Sequence, residues 1–296
     1  MPGQRLILLG QYPPSVVLEP RQSLVEAMLA LDQRGVRHGF VADEEGRLLG
    51  VLSIRRVLGA IRRGYDEGGI YRRLSETRVE DIMWRSPPKV IVGEFGVEDV
   101  VYIMSRLNIG AVAVVDKDEH LLGAISEKHI AGIMSLSDIH VAVHEVMTRP
   151  VHTIAPAATI MDAIRVMDEY RHRHVPVIDE EGRLSAMITA RDVLDYLAVE
   201  ENLARLRRGD DSVVEEPASK VAVGEPAYAT PEEDVAAALR RMRRRGISAL
   251  PVIDRERKPE GLISERDVVT KLPKLVGIEM FYDYARARLY VARVVS

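Results

Sequence analysis

The sequence predicts an α+β fold made of four tandem copies of one unit, each running strand–helix–strand–strand–helix. Three observations predict it. First, four segments align with one another: LLGVLSIRRVLGAI from Leu48, LLGAISEKHIAGIM from Leu121, LSAMITARDVLDYL from Leu184 and PEGLISERDVVTKL from Pro259. Their hydroxyl residues, Ser53, Ser126, Thr189 and Ser264, follow one another at intervals of 73, 63 and 75 residues. Second, an echo lies just upstream of each: HGFVADEEGR, AVAVVDKDEH, HVPVIDEEGR and LPVIDRERKP. Third, apolar residues ahead of that echo recur with helical period, as Ile160, Ala163, Ile164 and Met167 in repeat three and Val235, Ala238, Leu239 and Met242 in repeat four.

Each copy opens on a short extended stretch (VVLEP, KVIVGE, VHTIAP, AYATP) and then enters the amphipathic helix. Ser23-x-x-Glu26 and Thr230-Pro231-Glu232-Glu233 read as capping boxes at its start, the second with proline at the first helical position. An apolar strand then ends in Asp43, Asp116, Asp179 or Asp254, and a tight polar turn follows, with glycine in repeats one and three. A second strand returns and leads into a short helix, which is a hairpin signal. The repeats span residues 10–65, 79–137, 143–200 and 217–272. Residues 66–78 and 201–216 are expected to be linkers. The tail, 273–296, carries Phe281, Tyr282, Tyr284 and Tyr290, which predicts packing on the body or on a second subunit.

Composition narrows the chemistry. At 296 residues with 47% hydrophobic content, the chain can bury ample core, and a net charge of −4 offers no global attraction to nucleic acid. There is no cysteine, which excludes disulfides, thiolate metal sites and cysteine nucleophiles. His152, His172 and His174 match no standard metal-ligand spacing. Neither a membrane span nor a signal-peptide core is visible, so a cytoplasmic protein is expected. Arginine far outnumbers lysine, a loose hint of a thermophile. In the run Arg240–Arg245, Met242 continues the buried stripe, so the arginines are expected on a solvated helix face rather than on nucleic acid.

The pattern with chemical content is hydroxyl-x-x-acid: Thr189 with Asp192, and Ser264 with Asp267. Such a pair at a strand-to-helix corner caps the helix, a contribution of about 1 kcal/mol. It can also bind a ligand, because a carboxylate offers two acceptor oxygens to a cis-diol while free amides of a helix start suit phosphate. Repeats one and two keep the serine but place Arg56 and His129 where the acid would be. Capping alone would serve all four copies equally, so the difference favours a ligand role in repeats three and four.

The run EVMTRPVHTIAPAATIMDAIRVMDEYRHRHVPVIDEEGRLSAMITARDVLDYL closely resembles a cystathionine-β-synthase (CBS) domain, and ISALPVIDRERKPEGLISERDVV resembles another. Repeats one and two follow the pattern more loosely. The resemblance implies that paired repeats form two Bateman modules, assembled as a flat disc like the γ subunits of AMP-activated protein kinase. It implies regulatory ligands carrying adenosine (AMP, ADP, ATP or S-adenosylmethionine) in clefts between repeats. Asp192 and Asp267 would accept from the ribose hydroxyls beside Thr189 and Ser264, and Arg191 and Arg266 would reach phosphate. Just before the first hairpin strand, Arg173-His174 would touch phosphate, whereas Ser248-Ala249 would leave room for the nucleotide. Thr148 matches a family threonine near the nucleotide. Val151 and Thr153, with Tyr228 in repeat four, lie on the entering strands that read the adenine edge. Occupancy would be passed to a protein partner, and a homodimer is a further expectation. The repeats fill the chain, so no enzyme is expected. The alternatives are a scaffold that only dimerises or holds a partner, or a nucleic-acid binder.

Overall fold

A computed structural model describes residues 9–136, 139–277 and 279. The aromatic residues of the tail lie outside them. All four repeats fold as the period predicts. In each, an entering strand pairs parallel with the first hairpin strand: Val17 with Phe40, Lys89 with Ala113, Ile154 with Val177, Ala229 with Val252. The hairpins are His38–Ala42 with Leu48–Ser53, Ala111–Val115 with Leu121–Ser126, His174–Ile178 with Leu184–Thr189, and Ala249–Ile253 with Pro259–Ser264. Each carries a register shift just before its turn.

The hairpin turns explain the four aspartates. Oδ1 of Asp43, Asp116, Asp179 and Asp254 accepts from the backbone N–H four residues on, at 2.7–2.8 Å. The turn needs one residue with positive φ, supplied by Gly46 and Gly182 in repeats one and three and by Glu119 and Arg257 in the other two. The first helices are Leu24–Gln33, Val97–Leu107, Ile160–Glu169 and Val235–Arg245. Each is followed by a left-handed residue: Gly35, Asn108, Arg171 and Gly246.

The Ser23–Glu26 capping box forms, with the Ser23 N–H donating to Glu26 at 2.7 Å. The box expected at Thr230 does not. Glu233 N–H donates to the Thr230 carbonyl at 3.1 Å, so Thr-Pro-Glu-Glu closes a turn with proline at its second position. Asp234 caps the helix instead, accepting from the amides of Ala236 and Ala237. Repeat three uses Thr159 and Asp162 at the equivalent place, a T-x-x-D capping pattern.

The chain forms two compact units, and they do not follow chain order. One comprises Pro14–Pro87 and His152–Pro226, which are repeats one and three. The other holds repeats two and four, in the described residues of 88–151 and 227–277, with residues 9–13. Each has its own core. In the first, Met28, Leu31, Ile61, Ile164, Met167 and Leu194 are at most 1% exposed. In the second, Val101, Met104, Ile130, Val235, Leu250 and Val268 are wholly buried. Burying each of these larger apolar side chains contributes about 1.5–3 kcal/mol. The helical stripes predicted for repeats three and four are buried throughout, and Arg240 and Arg243–Arg245 are exposed as expected.

The stretches read as linkers are structured. Residues 66–78 contain the helix Ile70–Glu76, with Ile70 and Leu74 fully buried, and 201–216 contain most of Glu200–Arg207. They meet inside the first unit, where Asp211 accepts from the Ile70 amide at 3.2 Å. Glu216 accepts from Arg205, Lys220 and the Tyr196 hydroxyl, donors that hold its carboxyl down to about 2. No helix among the described residues is long and apolar enough to cross a membrane.

Candidate functional site

The register of each hairpin brings the two sequence signals together. The second residue of the pairs Arg173-His174 and Ser248-Ala249, and of their counterparts Arg37-His38 and Gly110-Ala111, stands directly opposite the hydroxyl: His38 and Ser53, Ala111 and Ser126, His174 and Thr189, Ala249 and Ser264. The ladder extends one step further in every copy, because the residue after the hydroxyl donates its N–H to the first residue of the pair. In repeat three Ala190 donates to the Arg173 carbonyl at 2.8 Å, and in repeat four Glu265 donates to that of Ser248 at 3.0 Å. His174 and Ala249 are buried at this corner, and Arg173 and Ser248 half-buried.

The four corners differ in how the helix is capped. Thr189 Oγ1 accepts from the Asp192 amide at 3.2 Å, and Asp192 Oδ2 accepts from the Thr189 N–H at 2.7 Å. Ser264 and Asp267 make the same reciprocal pair, at 3.4 and 2.8 Å. Ser53 and Ser126 make no such cap with their hydroxyls, which corrects the expectation that all four copies use the hydroxyl alike. The reason is at the fourth position. Arg56 turns away to the Ile82 carbonyl at 2.7 Å, and His129 Nδ1 accepts the Ser126 N–H at 3.0 Å. Acid and hydroxyl cap therefore come and go together.

In repeat three, Asp192 is half-buried and no protein donor reaches its second oxygen among the described residues. Burial raises its pKa, partly opposed by its bonds from Thr189 and by Arg191. Arg191 is half exposed, and its Nη1 donates to the Gly35 carbonyl of repeat one at 3.0 Å. Its Nε lies 3.5 Å from Asp195. Burial and a bond to Asp32 push Asp195 up to about 6, against the pull of Arg191. Arg55 of repeat one reciprocates, donating to the Arg171 carbonyl of repeat three at 3.3 Å. Each arginine thus reaches the left-handed residue after the other repeat's first helix.

Repeat four uses the same residue types differently. Asp267 is 4% exposed, and Arg266 Nε donates to Glu127 of repeat two at 2.6 Å, with Glu127 wholly buried. Asp267 Oδ1 accepts from Thr148 Oγ1 at 2.6 Å and from Lys271 Nζ at 2.7 Å. Thr148 and Asp267 are therefore brought together. Val151 closes a segment of this unit, whereas Thr153 belongs to the other. Beside Thr153, His152 stacks on Tyr170 with centroids 3.5 Å apart, and its Nδ1 lies 3.1 Å from His172 Nε2. Tyr228 is exposed under the Arg257 guanidinium, 6.0 Å from the ring centre, and its carbonyl accepts from Arg241.

Sequence reasoning missed Gly35, Asp195, Glu127 and Lys271. Lys271 and Asp195 left a local signal, each forming an i, i+4 acid–base pair, with Asp267 and Arg191 respectively. Gly35 and Glu127 act on residues 156 and 139 positions away, a relation that no local pattern carries.

Four hairpin-and-helix copies, two of them with a hydroxyl-acid corner, define a tandem-repeat protein, and the comparisons agree. The family model described as CBS domain matches residues 10–63, 79–136, 143–199 and 218–274, so the chain belongs to the CBS-domain family. A 33.4 kDa uncharacterized protein in a ribosomal RNA operon of Thermofilum pendens is 34% identical over 295 residues, 97% of each chain. A homoserine O-acetyltransferase of Methanococcoides burtonii is 33% identical over 129 residues, 44% of this chain and 24% of that one. Among solved structures, a proposed archaeal homologue of γ-AMPK from Methanocaldococcus jannaschii shares the fold. Its TM-score is 0.78 at 18% identity, over 89% of this chain and 98% of that one. A conserved protein of Pyrococcus horikoshii reaches 0.57 at 20% identity, over 89% and 97%.

Proposed function

We propose that the chain is a regulatory sensor of adenine nucleotides, AMP, ADP or ATP, which holds the ribose at Asp192 of repeat three and transmits occupancy to a partner. The observation that carries this reading is the unfilled acceptor oxygen of Asp192 at a corner already fixed by Thr189. A half-buried carboxylate held by its cap is pre-organised for two vicinal hydroxyls, and ordering it on binding costs little. Arg191 stands next to it for phosphate. Because the same guanidinium holds the Gly35 carbonyl, a phosphate that recruits it alters the grip of repeat three on repeat one. Such coupling is reciprocal: a partner that prefers one arrangement changes nucleotide affinity by the same factor.

Calorimetry with AMP, ADP, ATP and S-adenosylmethionine tests the site and ranks the ligands, since all four carry the ribose diol. Asp192→Asn removes charge-assisted bonds of about 1.5–3 kcal/mol, so affinity should fall by roughly ten- to a hundredfold. Unchanged affinity would overturn the assignment. The scaffold reading expects no rise in melting temperature at saturating nucleotide, where true binding must produce one.

A further inference from the structure

We infer that Lys271 is a built-in occupant of the repeat-four site, so that this site is closed while the repeat-three site is open. The inference rests on the nucleotide reading above, and it assigns the closure of the repeat-four site to the ammonium of Lys271, held there with Thr148. An ionised carboxylate offers about four lone-pair positions. At Asp267 protein donors fill them: Ser264 N at 2.8 Å and Ser264 Oγ at 2.6 Å on Oδ2, Thr148 Oγ1 at 2.6 Å and Lys271 Nζ at 2.7 Å on Oδ1. Lys271 also donates to Thr148 Oγ1 at 2.7 Å, closing a triangle of acid, hydroxyl and ammonium. A ribose diol could reach Asp267 only by displacing the ammonium, which neutralises a nearly buried charge.

Repeat three lacks the device at two places: Val223 pairs with Met187 where Thr148 pairs with Leu262, and the lysine itself is replaced. The position four residues after the acid is Lys271 in repeat four and Tyr196 in repeat three. The Tyr196 hydroxyl donates to Glu216 at 2.7 Å, away from Asp192. Leu272 follows Lys271 in the core, so the backbone that aims the lysine is fixed by packing.

The test is calorimetry with AMP on the full chain, read as stoichiometry. The wild type should bind one nucleotide, Lys271→Met two, and Asp192→Asn with Lys271→Met again one. Methionine keeps the aliphatic stem and removes only the ammonium. The reverse graft, Tyr196→Lys, should lower affinity at the first site at least tenfold, and it serves if Lys271→Met does not fold. Two nucleotides on the wild type, or one on a folded Lys271→Met, would overturn the inference. Weaker binding in Lys271→Met would also overturn it, by making the lysine a ligand contact. Binding to Lys271→Met but not to the wild type would uphold the lysine's role and remove the repeat-three reading. No binding to either would sink both.

Discussion

Repeats three and four present the same hydroxyl, arginine and acid on the same strand-to-helix corner, with the same reciprocal cap. One leaves the arginine half exposed and an acid oxygen unfilled, and the other sinks both. The difference comes from what each unit's other repeat offers. Where repeat two places Glu127, repeat one has Ile54, so Arg266 finds a buried anion, whereas Arg191 meets a carbonyl and a half-buried acid. A motif fixes local geometry, and the packed neighbour decides whether its polar atoms remain available.

The largest expected effect would break this comparison if it failed. Arg266→Ala removes a charge-assisted bond at the buried Glu127 and should cost about 1.5–3 kcal/mol in urea denaturation. Arg191→Ala removes half-exposed contacts and should cost less than about 1 kcal/mol. Equal losses would mean that the two arginines are not differently committed.

A smaller effect should follow from Gly35→Ala. Its φ of +59° disfavours a side chain, and the added Cβ would lie 2.5 Å from Arg191 Nη2. The strain should cost about 1 kcal/mol and release the arginine. A lower melting temperature with altered nucleotide affinity is the expected result. An unchanged affinity would separate the Arg191 latch from the nucleotide site.

The smallest effect concerns pH. In the folded chain Asp195 titrates at about 6, above the ordinary carboxylate value. The native state therefore holds a proton that the unfolded state has lost between roughly pH 4 and 6. Stability contributed there falls as pH rises through that window, and the penalty is complete above it. Asp195→Asn should flatten this slope and raise the melting temperature above pH 6 by a degree or two, roughly. The gain is modest because the side chain is 45% exposed and solvent screens it. A steeper slope in the variant would show that Arg191, not Asp32, dominates its surroundings.

Much of this was legible in the chain because the repeats report on one another. Four aspartates before four turns, and the hydroxyls of Thr189 and Ser264 before two helices, each met a local backbone need within four residues, and local needs leave local patterns. Thr230 misled because Thr-Pro-Glu-Glu serves a turn as well as it serves a helix start. Ser53 and Ser126 misled because a capping residue without its N3 partner need not cap.

By itself, then, the sequence determined the repeat, its strand and helix order, its buried stripes and the corner where chemistry can occur. Those depend on periodicity and on contacts a few residues apart. Tertiary structure alone decided that repeat one cores with three and repeat two with four, that the apparent linkers are helices, and which acid stays open. Those outcomes depend on pairs such as Arg266 with Glu127 and Arg191 with Gly35, more than a hundred residues apart in the chain. Chain closure sets such distances to zero only once both cores have formed, so no window of sequence contains them.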